Sequence, residues 1–431
     1  MRLGETIVAP ITALGGPVAI VRLSGPDSVK IAQSVFHALP AEPQSHRAYY
    51  GQFQHGDDGY CIVFEEGRSY TGESSVELFV HGSTASVRAL LEGCLLAGGR
   101  RAKPGEFTWR AFANGRIDLS QAEAVRDTIE SQSDLELRIA NLLREGTLRA
   151  RIADLLAILN RTLGGIEASV DFGEEIGEFD RESGCVSLGE VVTESSRLLE
   201  TASSGRILRR GFRVALAGLP NAGKSSLLNA LLKSNRAIVT QEPGTTRDYL
   251  EERAEIQGVP CVLVDTAGLR DATNVAEAEG VIRSREILAS ADLVLYLYDG
   301  SLGLQPEDEV ELARLGDPVL VSTKADLSPQ AGRLAVSSIT GAGLAELQDL
   351  IVKRCQFVDC DGIFIKDRHI HPLERAKTSV ELAITALQCD LPSDLAVTAL
   401  REAIHSFGEI TGESASEDMI ERMFADFCIG K

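Results

Sequence analysis

Residues Gly218–Ser226 read GLPNAGKSS. The spacing G-x-x-x-x-G-K-S sets Gly218, Gly223, Lys224 and Ser225 where loop amides can surround phosphate. The apolar run RVALAG precedes this loop and a helical run begins at Lys224, so a bound phosphate would meet a helix N-terminus. In such a loop Lys224 neutralises the β- and γ-phosphates, and the Ser225 hydroxyl offers a ligand to Mg²⁺. Asn221, Ala222, Gly223, Lys224, Ser225 and Ser226 are therefore the expected phosphate contacts. DTAG at Asp265–Gly268 follows another apolar run. Asp265 can hold Mg²⁺ through water, Gly268 can offer its N–H to a γ-phosphate, and Thr266 and Ala267 lie between them. TKAD at Thr323–Asp326 ends a later run. The Asp326 carboxylate can accept from guanine N1–H and N2–H₂, an edge that adenine does not offer, with Thr323, Lys324 and Ala325 beside it. Ser337 and Ser338 precede the next helix and can close over a base.

Each string alone is weak, but in this order, each at a strand end, they specify a guanine-nucleotide switch. At this point the chain resembles the translation-factor-like GTPases, with Thr323 standing where their Asn is usual. Between the phosphate loop and Asp265 lies PGTTRD, Pro243–Asp248, where Thr246 is the residue expected to complete the Mg²⁺ shell. Hydrolysis needs positive charge near the β–γ bridge. Ras-like enzymes also position water with a Gln after DTAG; here Leu269 holds that place, and no arginine finger is evident in cis. The Asn221 amide oxygen, with carbonyls or hydroxyls of Thr240, Glu242 and Thr245, could seat K⁺ beside the phosphates; the alternative is an amide that only caps the loop.

Several elements must hold these residues. At 431 residues the chain is too long for one core, so two or three domains are expected. With 44% hydrophobic and 25% charged residues it reads as a globular chain. No run of eighteen apolar residues suggests a membrane span, and the opening MRLGETIVAPITALGG lacks the order of a signal peptide, so a cytoplasmic chain is expected. The eight scattered cysteines form no CxxC pair, which points to reduced thiols and no Cys/His metal site. A net charge of −20 argues against a general nucleic-acid coat and against DNA. The dense basic runs, Gly99–Pro104 and Arg206–Arg213, are expected to be solvated surface.

Three textures follow one another. Residues 1–117 mix short β-branched runs, Gly-rich turns and the helical TASVRALLEGCLLAGG, an α+β pattern. Residues 118–210 are helical, with Leu135, Ile139, Leu142, Leu143, Ile152, Leu155, Leu156 and Leu159 at helical spacing. Ser120 and Glu123 predict a capping box at its start, and DFGEEIGEFDRES predicts an acidic loop at its end. Residues 211–356 alternate strands and helices, the rhythm of a parallel sheet, with LAVSSITG as its last apolar segment. Residues 357–431 return to helix. The fold class expected is multidomain, α/β and α+β: a Ras-like P-loop G domain inserted into a discontinuous helical domain, preceded by an α+β domain.

Further stretches carry a closer resemblance: YTGESSVELFVHG (Tyr70–Gly82), KPGEFTWRAFANGRIDLSQAEAV (Lys103–Val125), AIVTQEPGTTRDYLEE, DTAGLR and the terminal FCIGK (Phe427–Lys431). With the phosphate loop, and in this order, they resemble the MnmE (TrmE) family of tRNA uridine-modification GTPases. The resemblance implies a folate-binding, dimerising N-terminal domain and a homodimer whose G domains meet in a K⁺-dependent way. It implies a MnmG-like, FAD-carrying partner, with a heterotetramer expected. The pair would install a carboxymethylaminomethyl or aminomethyl group at C5 of the tRNA wobble uridine, using 5-formyl- or methylene-tetrahydrofolate. By the same resemblance Asn221, Thr240, Glu242 and Thr245 match the K⁺ positions, and Ser225 and Thr246 the Mg²⁺ ligands. Glu277 falls where the family has the Glu that orients attacking water. Arg22, Glu77, Arg116 and Lys431 match the folate contacts, Arg116 in place of a frequent Lys. Trp109 stands where a basic residue is usual, and Cys428 is expected to be a small buried residue. A ribosome-binding assembly switch is the alternative class. It would share the phosphate loop but bind no reduced folate.

Overall fold

The computed structural model describes residues 3–131, 133–234, 236–237, 251–265, 287–328, 334–355, 363–389, 391–427 and 430. The chain divides into two compact units. One comprises Met1–Arg126, Leu143–Val191 and Arg375–Lys431, the other Asp127–Leu142 and Val192–Glu374.

The first unit is built on strands β1 (Ile7–Pro10), β2 (Val18–Ser24), β3 (Ala48–Gln52), β4 (Asp58–Phe64), β5 (Ser75–His81) and β6 (Arg100–Arg101), ordered β3-β4-β5-β2-β1-β6. The period-two pattern decides which face is buried: Ala19, Val21 and Leu23 of β2 are fully buried, while Val18, Ile20 and Arg22 point the other way. Helices Ser28–Val35 and Thr84–Leu96 cover the buried face with Ile31, Val35, Val87 and Leu90. The helical run TASVRALLEGCLLAGG is thus the second of these, and the Ser83 hydroxyl accepts from the Ser86 N–H at its start.

Two of the helical expectations need correction. Helix Leu119–Glu130 is not capped by Ser120 and Glu123. Asp118 accepts from the Gln121 N–H at 2.8 Å, and the Gln121 side chain accepts from the Asp118 N–H at 3.0 Å. The Ser120 hydroxyl donates to the same Asp118 carboxylate, so the box sits two residues earlier. Nor is the acidic stretch a loop throughout. Helix Thr147–Ile176 runs into it, bending at Phe172, and helix Arg181–Arg210 begins three residues before its end. The Phe179 ring packs on Gly165 and Gly184, so the connecting turn is short and anchored. Within the predicted stripe, Ile139, Leu143, Ile152, Leu155 and Leu159 are buried and Leu135, Leu142 and Leu156 half-buried. Helix Ser393–Thr411 lies on Thr147–Ile176, with Arg401 reaching Glu167 at 2.7 Å.

The second unit carries β7 (Phe212–Ala217), β8 (Arg236–Ala237), β9 (Glu251–Ile256), β10 (Val259–Asp265), β11 (Leu293–Asp299) and β12 (Val319–Thr323), ordered β12-β11-β7-β10-β9-β8. Strands β12, β11, β7 and β10 are parallel, as their largely apolar runs predict, and β9 and then β8 extend the sheet antiparallel beyond β10. LAVSSITG contributes only one parallel bridge, Ala335 to Ser322. Its chain turns at Ser337, whose hydroxyl accepts from the N–H groups of Ile339 and Thr340, so no strand can continue. The fold class is the one expected, α/β and α+β parts with a P-loop G domain between helical stretches. Among the described residues no helix is long and apolar enough to cross a membrane.

Candidate functional site

In the second unit the phosphate loop joins β7 to helix Lys224–Ser234. Gly218 has φ 139°, and a Cβ there would lie 2.2 Å from the Leu297 carbonyl oxygen; the loop passes too close to β11 for any side chain. Asn221 takes φ 64°, which few non-glycine residues adopt, and so exposes its amide at the loop's tip. Lys224 is buried, and its Nζ donates to the carbonyls of Gly218 at 2.7 Å and Leu219 at 2.8 Å. Those bonds fold the ammonium back over the loop, where a phosphate would lie.

Ser225 opens the helix next to Lys224, and its hydroxyl donates to Asp265 Oδ2 at 2.6 Å. Asp265 is buried at the end of β10. Two hard oxygens from adjacent elements suit a hard divalent cation with waters in its shell, so the residues present fit Mg²⁺. Of the four K⁺ positions Asn221 alone is described. Thr240, Glu242, Thr245, Thr246, Thr266, Ala267, Gly268, Leu269 and Glu277 lie outside the described residues, as do Cys428 and Lys431.

The base-reading loop follows β12. The Thr323 hydroxyl lies 2.9 Å from the Ala222 carbonyl and 3.1 Å from that of Tyr298, tying this loop to the phosphate loop. Lys324 takes φ 57° and pairs with Asp299 at 2.5 Å. The Lys324 hydrogen bond, then that of Ser301, holds the Asp299 carboxyl below its usual range. The Ala325 N–H donates to Val336 at 3.1 Å. Asp326 is exposed, and one of its carboxylate oxygens is fixed by the Ser337 hydroxyl at 2.6 Å; Ser338 is half-buried beside it. A carboxylate has acceptor capacity beyond that one bond, so Asp326 can still accept from a guanine N1–H and N2–H₂ edge. Sequence reading missed Asp299, whose signal is the DG that closes β11, and Tyr298, which carries no signal beyond its apolar strand.

A second constellation lies in the first unit. Arg22 and Glu77 face each other across β2 and β5, with Arg22 Nε and Nη2 donating to Glu77 Oε1 at 3.0 and 2.8 Å. The Arg22 guanidinium lies 4.9 Å over the Tyr70 ring and 5.5 Å over that of Phe107. Arg116 donates to the Gly67 carbonyl at 3.0 Å. Tyr70 and Phe107 were not singled out, although both fall in the distinctive stretches. Of the terminal FCIGK, Phe427 and Gly430 are described, and both belong to this unit. Gly430, at φ 99°, sits where a Cβ would lie 2.2 Å from the Pro10 carbonyl, at the end of β1. Trp109 packs with Leu119, Phe424 and Phe427, so it is part of a core.

Beneath this site Arg110 is fully buried. It reaches Glu73 at 2.7 Å, Glu106 at 3.5 Å and the Glu5 carbonyl at 2.8 Å. Glu106 also accepts from Arg100 at 2.5 Å and from the Lys103 N–H at 2.8 Å. Burial pushes the Glu106 carboxyl up, but Arg100 and these other donors outweigh it and hold it below its ordinary value. The basic runs likewise meet acids. Arg100 pairs with Glu5 and Glu106, Arg210 with Asp292 and Arg213 with Glu251. The six cysteines described are free, and burial pushes the thiols of Cys61, Cys94 and Cys261 up to about 12, so they are inert.

Comparison with known proteins matches two family models. "MnmE helical domain" covers residues 119–428 and "GTP-binding protein TrmE N-terminus" covers residues 6–116. A relative described as tRNA modification GTPase MnmE, from Symbiobacterium thermophilum, is 40% identical over 99% of this chain and 99% of its own. One of the same description from Moorella thermoacetica is 39% identical over 100% of both. Among solved structures, the G domain of the T. maritima FeoB iron transporter is 30% identical over 33% of this chain and 98% of its own, with a TM-score of 0.24.

Proposed function

The chain belongs to the MnmE (TrmE) family of tRNA modification GTPases, and on that premise we propose that its GTP hydrolysis drives a conformational cycle serving wobble-uridine modification. GTP is the substrate, held by Asn221–Ser226, Thr240, Thr245, Thr246, Asp265–Gly268, Thr323–Asp326 and Ser337–Ser338. Ser225 and Thr246 would hold Mg²⁺, and Glu277 orients the attacking water. A potassium ion on Asn221, Thr240, Glu242 and Thr245 would supply the positive charge that no guanidinium brings to the β–γ bridge.

The same reading gives residues 1–117 as the dimerising folate domain, 118–210 and 357–431 as the helical domain and 211–356 as the G domain. A reduced folate, 5-formyl- or methylene-tetrahydrofolate, is held by Arg22, Glu77, Arg116 and Lys431. With a MnmG-like, FAD-carrying partner in a heterotetramer, the homodimer adds a carboxymethylaminomethyl or aminomethyl group at C5 of the uridine, in the cytoplasm. The observation that supports the folate half best is Gly430 seated on the end of β1, one strand from Arg22. A carboxylate such as Glu77 suits the donor edge of a pterin, and cationic side chains suit the glutamate tail. Calorimetric titration of the full chain with 5-formyltetrahydrofolate tests this. Binding that weakens in Arg22→Ala and Glu77→Ala is the expected result. No binding at high micromolar concentration contradicts it.

A further inference from the structure

We propose that this chain reads guanine without using its N7 position, because the single proton of the Thr323 hydroxyl is held inside the fold. The inference rests on the guanine-nucleotide reading above and concerns which base edges that loop recognises. Thr323 Oγ1 lies 2.9 Å from the Ala222 carbonyl and 3.1 Å from the Tyr298 carbonyl, and the residue is only 2% exposed. Both neighbours are acceptors, so the hydroxyl can only donate to them, and it has one proton to give. Guanine N7 is also an acceptor. To reach it, Thr323 would have to release two buried carbonyls and leave them without this donor in a place sealed from water.

An asparagine at the same position would behave differently. Its amide has two N–H donors, so one can hold a carbonyl while the second faces the base. Threonine keeps the first task and drops the second. Its bond to Ala222 joins the base loop to the phosphate loop, and its carbonyl accepts from the Gly300 N–H at 3.0 Å, which fastens the end of β12 to β11. Thr323 is therefore a positioning residue, and discrimination against adenine falls on Asp326 through N1–H and N2–H₂. The Ser337 hydroxyl already holds that carboxylate in place at 2.6 Å.

The test is isothermal titration of the full chain with GTP, 7-deaza-GTP (a C–H in place of N7) and ATP. The wild-type chain is expected to bind GTP and 7-deaza-GTP within about twofold of each other, less than the worth of one hydrogen bond. Thr323→Ser, which keeps the hydroxyl, retains that indifference. Thr323→Asn gains a preference for GTP over 7-deaza-GTP of about threefold to tenfold, the net worth of one added hydrogen bond. Wild-type binding of 7-deaza-GTP about tenfold or more weaker than GTP would overturn the proposal even if Thr323→Asn fails to fold. An indifferent, folded Thr323→Asn would overturn the role given to Thr323. ATP bound as tightly as GTP would instead overturn the guanine reading itself, so the two failures are distinct.

Discussion

Two charged side chains illustrate how much a single residue carries here. Lys224 keeps an ammonium buried on two backbone carbonyls, a position tolerable because charge-assisted hydrogen bonds hold it. Lys224→Ala removes the only lysine of the loop, and its GTP affinity is expected to fall about tenfold to a hundredfold by filter binding, the worth of one charged hydrogen bond. Glu106 is a structural counterpart. Its folded value lies below the ordinary 4.5, so the stability it contributes is whole above that pH and is lost as pH falls through the lower folded value. Glu106→Gln is expected to cost about 3 kcal/mol near neutrality by chemical denaturation, because it breaks a buried pair and leaves Arg110 and Arg100 partly uncompensated. The variant should also lose less stability than wild type when both are taken below pH 4.5.

At the scale of elements, local chemistry made most of the architecture readable. The runs VALA before GLPNAGKSS and VPCVLV before DTAG are apolar without interruption, as a sheet covered on both faces demands, and they lie in β7 and β10. The helical stripe from Leu135 to Leu159 was legible because helix faces repeat in sequence. What misled was competition among neighbouring polar groups. Asp118 and Gln121 cap the helix that Ser120 and Glu123 also fitted, and Ser337 turns the chain where Val336 invited a strand. Of the candidate site, the phosphate and base loops could be found by spacing. The aromatic box of Tyr70 and Phe107 around Arg22 could not, because sequence separation hides which rings meet one guanidinium. The chain's end belongs to this scale too. Gly430→Val puts a side chain into the Pro10 carbonyl and should lower 5-formyltetrahydrofolate affinity of the full chain about tenfold while GTP turnover stays unchanged. Equal loss of both would mean that the end of the chain serves general folding.

For the whole molecule, the division of labour follows from where charge is available. The chain has a net charge of −20, and among the described residues Arg100, Arg210 and Arg213 of its basic runs are paired with acids, which leaves few described cations for a nucleotide beyond Lys224. A borrowed monovalent ion fits that shortage. Replacing K⁺ by Na⁺ is expected to cut GTP turnover sharply with little change in GTP affinity, as followed by phosphate release; equal rates in the two salts would remove Asn221 from the account. On the proposed reading, hydrolysis would drive chemistry done elsewhere, which makes the modified nucleoside its proper readout. Mass spectrometry of wobble uridines in tRNA from cells lacking this chain tests that coupling most directly. The account predicts that the C5-modified uridine disappears, returns with the wild-type chain and does not return with Lys224→Ala. An unchanged nucleoside pattern in the deleted cells, or full rescue by the Lys224 variant, would contradict it.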